Sequence, residues 1–149
     1  MTVADLEAVI SIASSLADAP QWPHSAYANA LNPDSIPRRI ALVAAIDRAD
    51  AQPGVIYGFV VANLLPPEAE LETIAVRAGN QRRGLGRSLF QALANRMQDS
   101  GVRSLLLEVR ASNSAQGFYR SLGFCQTGLR RSYYADPVED AALMSRALG

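Results

Sequence analysis

The chain has 149 residues, 49% of them hydrophobic and 19% charged, a balance typical of one globular domain, here predicted over residues 1–149. Fourteen basic and fourteen acidic residues cancel, which argues against a nucleic-acid binder, because such proteins depend on an excess of positive charge. The longest apolar run, Val55 to Leu65, is interrupted by polar residues and is too short to span a membrane.

The remaining compositional signals predict a cytoplasmic protein that uses no metal. The first residues, Met1 to Asp5, lack the basic region of a secretory signal. A single cysteine, Cys125, excludes a disulfide within the chain, and one cysteine with one histidine is too few for a typical zinc site. The chain contains no lysine, so a lysine nucleophile and Schiff-base chemistry are also excluded.

The first half of the chain predicts two helices followed by an antiparallel meander of strands. Apolar residues recur at helical spacing from Val3 to Ala17, after a Thr2–Asp5 pattern that resembles a capping box. Trp22-Pro23-His24-Ser25 introduces a second helix, which we expect to end near Leu31. The predicted strands are Ile40–Ile46, Val55–Leu65 and Glu70–Val76, and the predicted turn between the first two is Asp47–Gly54.

The second half of the chain alternates helices and strands. A helix opens at Gly84-Leu85-Gly86 and ends at Ser100-Gly101, and its predicted apolar face consists of Leu85, Leu89, Ala92, Leu93 and Met97. The later predicted elements are strand Ser104–Val109, helix Ser114–Leu122, and strands near Phe124–Arg131 and Ala141–Ala147. Because a helix joins two strands between Glu70 and Arg110, this stretch predicts a βαβ unit. The predicted fold class is therefore α/β, or α+β with a mixed sheet.

A loop rich in glycine and arginine, Gln81 to Ser88, follows the third predicted strand and begins a helix. Gly84 and Gly86 let a ligand approach the backbone, and N–H groups at a helix N-terminus beside arginines favour a pyrophosphate. No Gly-Lys-Ser/Thr sequence follows, so this is not a Walker loop, and Leu89 stands where a dinucleotide fingerprint has its third glycine. A tight turn with solvated arginines is the alternative interpretation.

Segments of the chain, taken in order, resemble the motifs of the GNAT acyltransferases. Gln-x-x-Gly-x-Gly at 81–86, after Thr73–Val76, resembles their acetyl-CoA-binding motif, and Leu107–Asn113 and Phe118–Phe124 resemble the next two motifs. The resemblance covers about residues 70–148 and implies the GNAT fold, a central, mostly antiparallel mixed sheet flanked by helices.

The C-terminal segments Arg130–Tyr134 and Glu139–Ala141 resemble the hairpin of the RimI-like branch, whose members acetylate the N-terminal alanine of a small-subunit ribosomal protein. The resemblance implies Glu108 as the general base, Tyr119 as the general acid and acetyl-CoA as the cosubstrate. It also implies a set of acetyl-CoA-binding residues for the pantetheine arm, the pyrophosphate and the thiol: Ile74, Ala75, Val76, Arg82, Arg83, Gly84, Leu85, Gly86, Arg87, Ser88 and Asn113.

Elementary chemistry supports both implied catalytic roles. An α-amine has a pKa near about 8, so it needs a base such as Glu108 before it can attack, and a charge within an apolar strand is costly unless it is used or paired. A phenol such as Tyr119 can protonate the leaving thiolate of CoA. The alternatives are an ion pair of Glu108 with Arg110 or Arg103, and a core tyrosine whose hydroxyl bonds backbone. The Val76 N–H is a candidate donor to the oxyanion.

The chain departs from the family pattern in spacing and at its start. The family usually has seven residues from the asparagine to the tyrosine, whereas Asn113 to Tyr119 is six, so Ser112 is the alternative contact to the cofactor. The family often begins with a strand, but here a helical pattern begins at Thr2, so the first strand is absent or very short and the sheet loses an edge or another chain covers it.

Glu70 and Glu72 lie on the strand where other GNAT branches carry their base, and they are rival candidates for that role. Period-two alternation predicts that both share a face with Ile74 and Val76. The alternative is that both are solvated strand residues.

Three other segments of the sequence each allow two interpretations. Trp22-Pro23-His24-Ser25 resembles the entry to the branch's second helix beside the acceptor site, or else Trp22 caps the core and His24 is exposed. Tyr133-Tyr134 lines the slot for a peptide or packs across strands, and Arg130-Arg131 meets an acidic partner or forms a solvated face. Cys125 is predicted to be a small core residue.

The resemblance and the site chemistry predict an N-acetyltransferase that acts by direct attack without a covalent enzyme intermediate, and the resemblance to the RimI-like branch implies a protein N-terminus beginning with alanine as the acceptor. A GNAT enzyme for a small-molecule amine and a non-catalytic acyl-CoA-binding module are the alternatives. The predicted protein is a monomer or homodimer that binds neither nucleic acid nor membranes, and acyl-chain preference stays open.

Overall fold

The computed structural model of the protein describes residues 1–45 and 55–149. In that part of the chain the helices are α1 (Leu6–Ser15), α2 (His24–Ala30), α3 (Leu85–Asp99) and α4 (Ala115–Ser121). The strands are β1 (Arg38–Ala45), β2 (Ile56–Leu65), β3 (Glu68–Val76), β4 (Ser104–Arg110), β5 (Cys125–Tyr134) and β6 (Glu139–Ala147). Ile46 and the predicted turn Asp47–Gly54 lie outside the described residues.

The strands form one sheet in the order β1-β2-β3-β4-β6-β5. All neighbouring pairs are antiparallel except β3 and β4, which run parallel and are joined by α3. This arrangement confirms the predicted meander, the βαβ unit and the mixed α/β fold class.

The N-terminal residues explain where the first helix begins. The Thr2 N–H donates to Asp5 Oδ2 at 2.7 Å, as a capping box requires, and a 3₁₀ turn over Val3–Asp5 precedes the α-helix. No strand precedes α1 in the described residues, and β1 is the edge of the sheet. The Met1 ammonium donates to the Ala41 carbonyl of that edge at 3.1 Å.

Helix α3 is amphipathic, as predicted, but its buried face is shifted. Gly84 precedes it with a left-handed φ of 83°, and Gly101 follows it with a φ of 85°, where the Val102 N–H donates back to the Met97 carbonyl. Ala92 is exposed, contrary to prediction. The residues that the helix buries are Leu89, Phe90, Leu93, Ala94 and Met97.

Two apolar clusters lie on opposite faces of the sheet. One packs α3 against strands from both halves of the sheet. The other packs α1 and α2 against β1, β2 and β3, and no described residue of β4, β5 or β6 belongs to it. We call the second side the α1/α2 face. Because its helices cover half of the sheet, the same face of β4, β6 and β5 stays open.

No helix in the described ranges is both long and apolar enough to cross a membrane. Within those ranges no group of three or more His, Cys, Asp or Glu side chains is arranged to hold a metal ion.

Candidate active site

The central feature of the candidate site is a gap between β3 and β4. The two strands pair over three positions, and the last pair is Glu70 with Leu106. Beyond that point β4 continues beside β6, while β3 continues beside β2. The edge of β3 that faces β4 therefore loses its strand partner, and a slot opens from Leu71 to Val76.

Backbone direction decides which groups of β3 face this slot. The Arg77 N–H donates to the Tyr57 carbonyl of β2 at 2.7 Å, and hydrogen-bonding groups alternate in direction along a strand. The backbone N–H and C=O groups of Ala75 therefore face β2, whereas the backbone N–H and C=O groups of Ile74 and Val76 face the slot. The Gln81 side chain confirms this direction, because its Nε2 donates to the Val76 carbonyl at 3.1 Å.

The glycine loop places free backbone donors at the end of the slot. The first hydrogen bond of α3 runs from the Ser88 N–H to the Gly84 carbonyl, at 3.0 Å. The N–H groups of Leu85, Gly86 and Arg87 have no partner within the helix, as at any helix start, and the helix dipole makes this end attractive to anions. Arg82, Arg83 and Arg87 are exposed around these donors. The backbone donors of the predicted pyrophosphate cradle are thus open to solvent and surrounded by three arginines.

Gly86 has a packing role that the sequence did not reveal. A Cβ at this position would lie 3.0 Å from Cζ of Phe118 on α4. Arg87 also reaches α4, where its Nη2 lies 3.3 Å from Ser121 Oγ. The glycine therefore allows the start of α3 to pack against the helix that carries Tyr119.

Glu108 lies on β4, on the side opposite to Leu107 and Val109, which are buried under α3. Its side chain is 22% exposed, and its Oε1 lies 3.3 Å from Arg130 Nη2. The alternative pairing with Arg110 is not formed, because Arg110 bonds Glu139 at 3.5 Å. The carboxylate is therefore half-buried on the open face, with a single exposed guanidinium beside it.

Tyr119 lies on α4 with its ring between aromatic neighbours. The Phe118 and Phe124 ring centres are 5.8 Å and 6.0 Å away. Burial, with a smaller contribution from Tyr134, raises the pKa of Tyr119 to about 12. The phenol is therefore protonated at neutral pH and can act as a proton donor.

A buried glutamine, Gln116, fixes α4 relative to the end of β4, and sequence reasoning missed it. Its Nε2 donates to the Arg110 and Ala111 carbonyls at 3.2 Å and 2.8 Å, and its Oε1 accepts from Arg120 at 3.0 Å. This contact sets the position of Tyr119 relative to Glu108.

Asn113 and Ser112 have different local roles. Asn113 Oδ1 accepts from the Ala115 N–H at 2.8 Å, so this oxygen caps the first turn of α4. The Ser112 N–H donates to Glu139 Oε2 at 2.6 Å, and the Ser112 side chain first and this N–H second lower the pKa of Glu139. The Asn113 amide nitrogen is not used in the bond to Ala115, and Ser112 has an exposed side chain.

The expected common face of Glu70 and Glu72 with Ile74 and Val76 is wrong. Val61 pairs with Thr73 and the next residue, Ala62, pairs with Leu71, so Glu72 forms a β-bulge that interrupts the alternation. Ile74 and Val76 pack toward α3. Glu70 pairs with Asn63, two residues beyond Val61 in the other cluster, and so lies on the α1/α2 face.

Glu72 is committed to an ion pair. Arg39 on β1 donates to it through Nε at 2.8 Å and through Nη2 at 3.2 Å, and the bond raises the pKa of Arg39. No sequence pattern indicated this pair, because its residues lie on strands that are not adjacent.

The remaining predicted features resolve as follows. Cys125 is exposed, so its prediction as a core residue is wrong. It begins an edge strand whose residues mostly face solvent.

Trp22 packs on the α1/α2 cluster, 5.1 Å from the Tyr27 ring, and His24 is exposed. The Tyr133 and Tyr134 rings are 5.0 Å apart, and an arginine lies over each: Arg130 over Tyr133 and Arg110 over Tyr134.

The profile of the acetyltransferase (GNAT) family matches residues 8–124. The chain belongs to this family.

Curated relatives of this GNAT protein include the "[Ribosomal protein bS18]-alanine N-acetyltransferase" of Escherichia coli K12, which is 43% identical over 97 residues. The aligned part covers 63% of this chain and 66% of the E. coli protein, just under two thirds of its length. The protein of the same name from Salmonella typhimurium is 46% identical over 90 residues, covering 58% of this chain and 61% of the relative.

Solved structures share the fold of this chain over all or nearly all of its length. The crystal structure of the E. coli ribosomal-protein-S18-alanine N-acetyltransferase has a TM-score of 0.81 at 33% identity, covering 100% of this chain and 91% of that one. Ard1 from Thermoplasma volcanium has a TM-score of 0.81 at 26% identity, with 100% and 95% covered. The NatC complex bound to Gag peptide and CoA has a TM-score of 0.80 at 20% identity, covering 99% and 93%, which shows a common fold alone.

Proposed function

We propose that this protein transfers the acetyl group of acetyl-CoA to the N-terminal α-amine of a protein, with alanine-first ribosomal termini as the first candidates. The observation that carries the proposal is the slot between β3 and β4, which has Glu108 on its β4 side and a half-buried, protonated Tyr119 on α4. The similarity to bS18-alanine N-acetyltransferases supports the choice of acceptor.

Acetyl-CoA fits this slot as an added strand. Its pantetheine amides would pair with the backbone groups of Ile74 and with the Val76 carbonyl, which leaves the Val76 N–H for the reacting carbonyl, and its pyrophosphate would accept from the free N–H groups at the start of α3. The Ala75 backbone already pairs with β2, so its role would be to hold the edge in place. The amide nitrogen of Asn113 would contact the region near the thiol.

The transfer step needs one base and one acid. The amine nitrogen attacks the thioester carbonyl carbon, and its proton passes to Glu108 directly or through water. The oxyanion of the tetrahedral intermediate would accept from the Val76 N–H, which points into the slot. The carbon–sulfur bond then breaks, and Tyr119 gives its proton to the departing sulfur. Solvent returns a proton to Tyr119 and removes one from Glu108.

The test is acetyl-CoA turnover with two peptide sets, with mass spectrometry locating the acetyl group. One set has free N-termini, varied at the first residue and without lysine; the other has blocked N-termini and internal lysines. We expect acetylation of alanine or serine termini, reduced about 100-fold or more in Glu108→Gln and Tyr119→Phe. The exposed Glu7 on α1 supplies the matched control, Glu7→Gln, which should retain full activity.

Transfer to a small amine but to no peptide would overturn the choice of acceptor. Tight acetyl-CoA binding without transfer to any amine would indicate a non-catalytic binding module instead.

A further inference from the structure

Glu70 is a half-buried carboxylate at the point where β3 and β4 separate. Across residues 1–45 and 55–149, the ion pairs engage Glu72, Glu139 and Glu108, and none engages Glu70. Its neutral partner is Asn63, whose Nδ2 donates to Glu70 Oε2 at 3.2 Å. Glu70 also makes a minor contribution to the raised pKa of Arg39, but the hydrogen bonds of that guanidinium go to Glu72. A half-buried carboxylate that forms no ion pair of its own is costly, and a cationic ligand would offset that cost.

Glu70 lies on the same face as Glu108. Its neighbour on β4 is Leu106, and Glu108 is two residues further along that strand. Tyr133 interacts with Glu108, and that interaction is the main cause of the raised pKa of Tyr133. Glu70 and Glu108 therefore lie two positions apart on one face, at the open side of the sheet where an acceptor would enter.

Asn63 is held in one orientation and leaves a buried acceptor unused. Because its nitrogen serves Glu70, its Oδ1 must point away, and that atom is buried without a hydrogen-bond partner. Thr73 Oγ1, on the same face, is also buried without a partner. Asn63 and Thr73 are 6% and 4% exposed. A buried oxygen without a partner is stabilised when a hydrogen-bond donor reaches it. This region is therefore suited to a water molecule or to a ligand that carries N–H or O–H groups.

We propose that Glu70, positioned by Asn63, binds the ammonium form of the acceptor amine and thereby selects acceptors that arrive positively charged. This inference rests on the proposed function. An α-amine is mostly protonated at neutral pH, and Glu108 already pairs with Arg130, so Glu70, which forms no ion pair, is the carboxylate left to attract the cation. The bound ammonium first loses one proton to Glu108, which releases it to solvent, and this frees the nitrogen lone pair for attack. The second proton leaves the nitrogen after attack and passes to Glu108, while Tyr119 protonates the departing sulfur; Glu70 forms no bond to the reacting carbon.

The experiment compares steady-state kinetics of Glu70→Gln with those of Glu68→Gln, which removes the same charge from an exposed position on the same strand. The acceptor is an alanine-first peptide with a free N-terminus. For Glu70→Gln we expect the peptide KM to rise about 10- to 100-fold, the effect of losing one charged hydrogen bond. The kcat should stay within about threefold, the acetyl-CoA KM should not change, and Glu68→Gln should match the wild type.

A second acceptor separates charge recognition from shape. A peptide ending in an aminooxy group is uncharged at neutral pH, so its KM should be the same for the wild type and Glu70→Gln. Asn63→Leu has nearly the same shape but no donor, and it should raise the KM of the charged peptide by a smaller factor. Acetyl-CoA affinity and the unfolding midpoint of each variant verify that it is folded.

The inference is overturned if Glu70→Gln leaves the peptide KM unchanged. It is also overturned if kcat collapses and the acidic limb of the kcat–pH profile disappears, because Glu70 would then be the base. If the wild type acetylates a small amine and no peptide, the proposed acceptor is wrong. The inference then stands if Glu70→Gln raises the KM of that amine, and it is overturned if that KM is unchanged. If it acetylates nothing, the inference fails together with the proposed function.

Discussion

At the residue scale, the two candidate catalytic side chains, Tyr119 and Glu108, lie in different surroundings. Tyr119 is half-buried among aromatic rings, and this partial removal from water raises the pKa of its phenol. Glu108 faces the open side of the sheet beside an exposed arginine. The surroundings of Tyr119 keep its phenol neutral and able to donate a proton, whereas Glu108 is open to an approaching amine.

The pH dependence of stability tests the burial of Tyr119. Its pKa is about 12 in the folded protein and about 10 in an unfolded chain, so the unfolded state loses its proton first as the pH rises. The stability that Tyr119 contributes is complete below pH 10 and is lost between pH 10 and pH 12, by about 1.4 kcal/mol at pH 11.

The measurement is the free energy of unfolding by denaturant at pH 9 and pH 11, for the wild type and Tyr119→Phe. We expect the wild type to lose about 1.4 kcal/mol more than the variant over this interval. Equal losses would show that Tyr119 titrates as an exposed phenol.

Glu108 was predictable as a candidate because it breaks a local pattern, as a charge in the apolar strand Leu105–Val109. Asn63 interrupts the apolar run Val55–Leu65, but that interruption alone did not indicate a role beside Glu70. Arg130, which pairs with Glu108, was not predictable as its partner. It lies on β5, and that contact exists because β5 folds back beside β6.

At the element scale, β3 determines the geometry of the slot. Its bulge at Glu72 turns Glu70 toward the α1/α2 face, and its last residues present Ile74 and Val76 toward α3. Gly58 on β2 allows the end of β3 to approach closely, because a Cβ at this position would lie 2.8 Å from the Ala75 carbonyl oxygen. The contacted atom is backbone, so the strand itself would have to move.

We therefore expect Gly58→Ala to destabilise the protein by about 1–3 kcal/mol, the usual cost of overpacking. Gly117 on α4 is the matched control, because no atom lies within 4 Å of a Cβ at that position. Gly117→Ala should be neutral or stabilising by up to about 1 kcal/mol, since alanine favours a helix. Denaturant unfolding measures both changes, and a Gly58→Ala protein as stable as the wild type would contradict the proposed close contact.

At the scale of the whole molecule, the sheet is held by helices that cover it unequally. The α3 cluster joins both halves of the sheet, while α1 and α2 cover β1, β2 and β3. The two halves separate at the β3–β4 boundary, where three pairs join them. A ligand in the slot would connect the halves and complete the hydrogen bonding of the β3 edge.

Amide hydrogen exchange with and without acetyl-CoA tests this arrangement. Without ligand, the Ile74 and Val76 amides should exchange quickly because they face the slot, and the Ala75 amide should exchange slowly because it faces β2. At a concentration 100 times the Kd, acetyl-CoA should slow Ile74 and Val76 by about 100-fold. Unchanged exchange at both residues in the presence of bound acetyl-CoA would place the cosubstrate elsewhere.

The sequence by itself determined the type and order of the elements, the glycine loop and the family, because periodicity, turn residues and motifs are local in the chain. The tertiary structure decided the bulge at Glu72, the partner of Glu108, the exposure of Cys125 and the juxtaposition of Glu70 with Asn63. Those features depend on strand register and on contacts between residues far apart in the chain. A shift of one residue reverses a side chain's face, and no local pattern specifies such a shift.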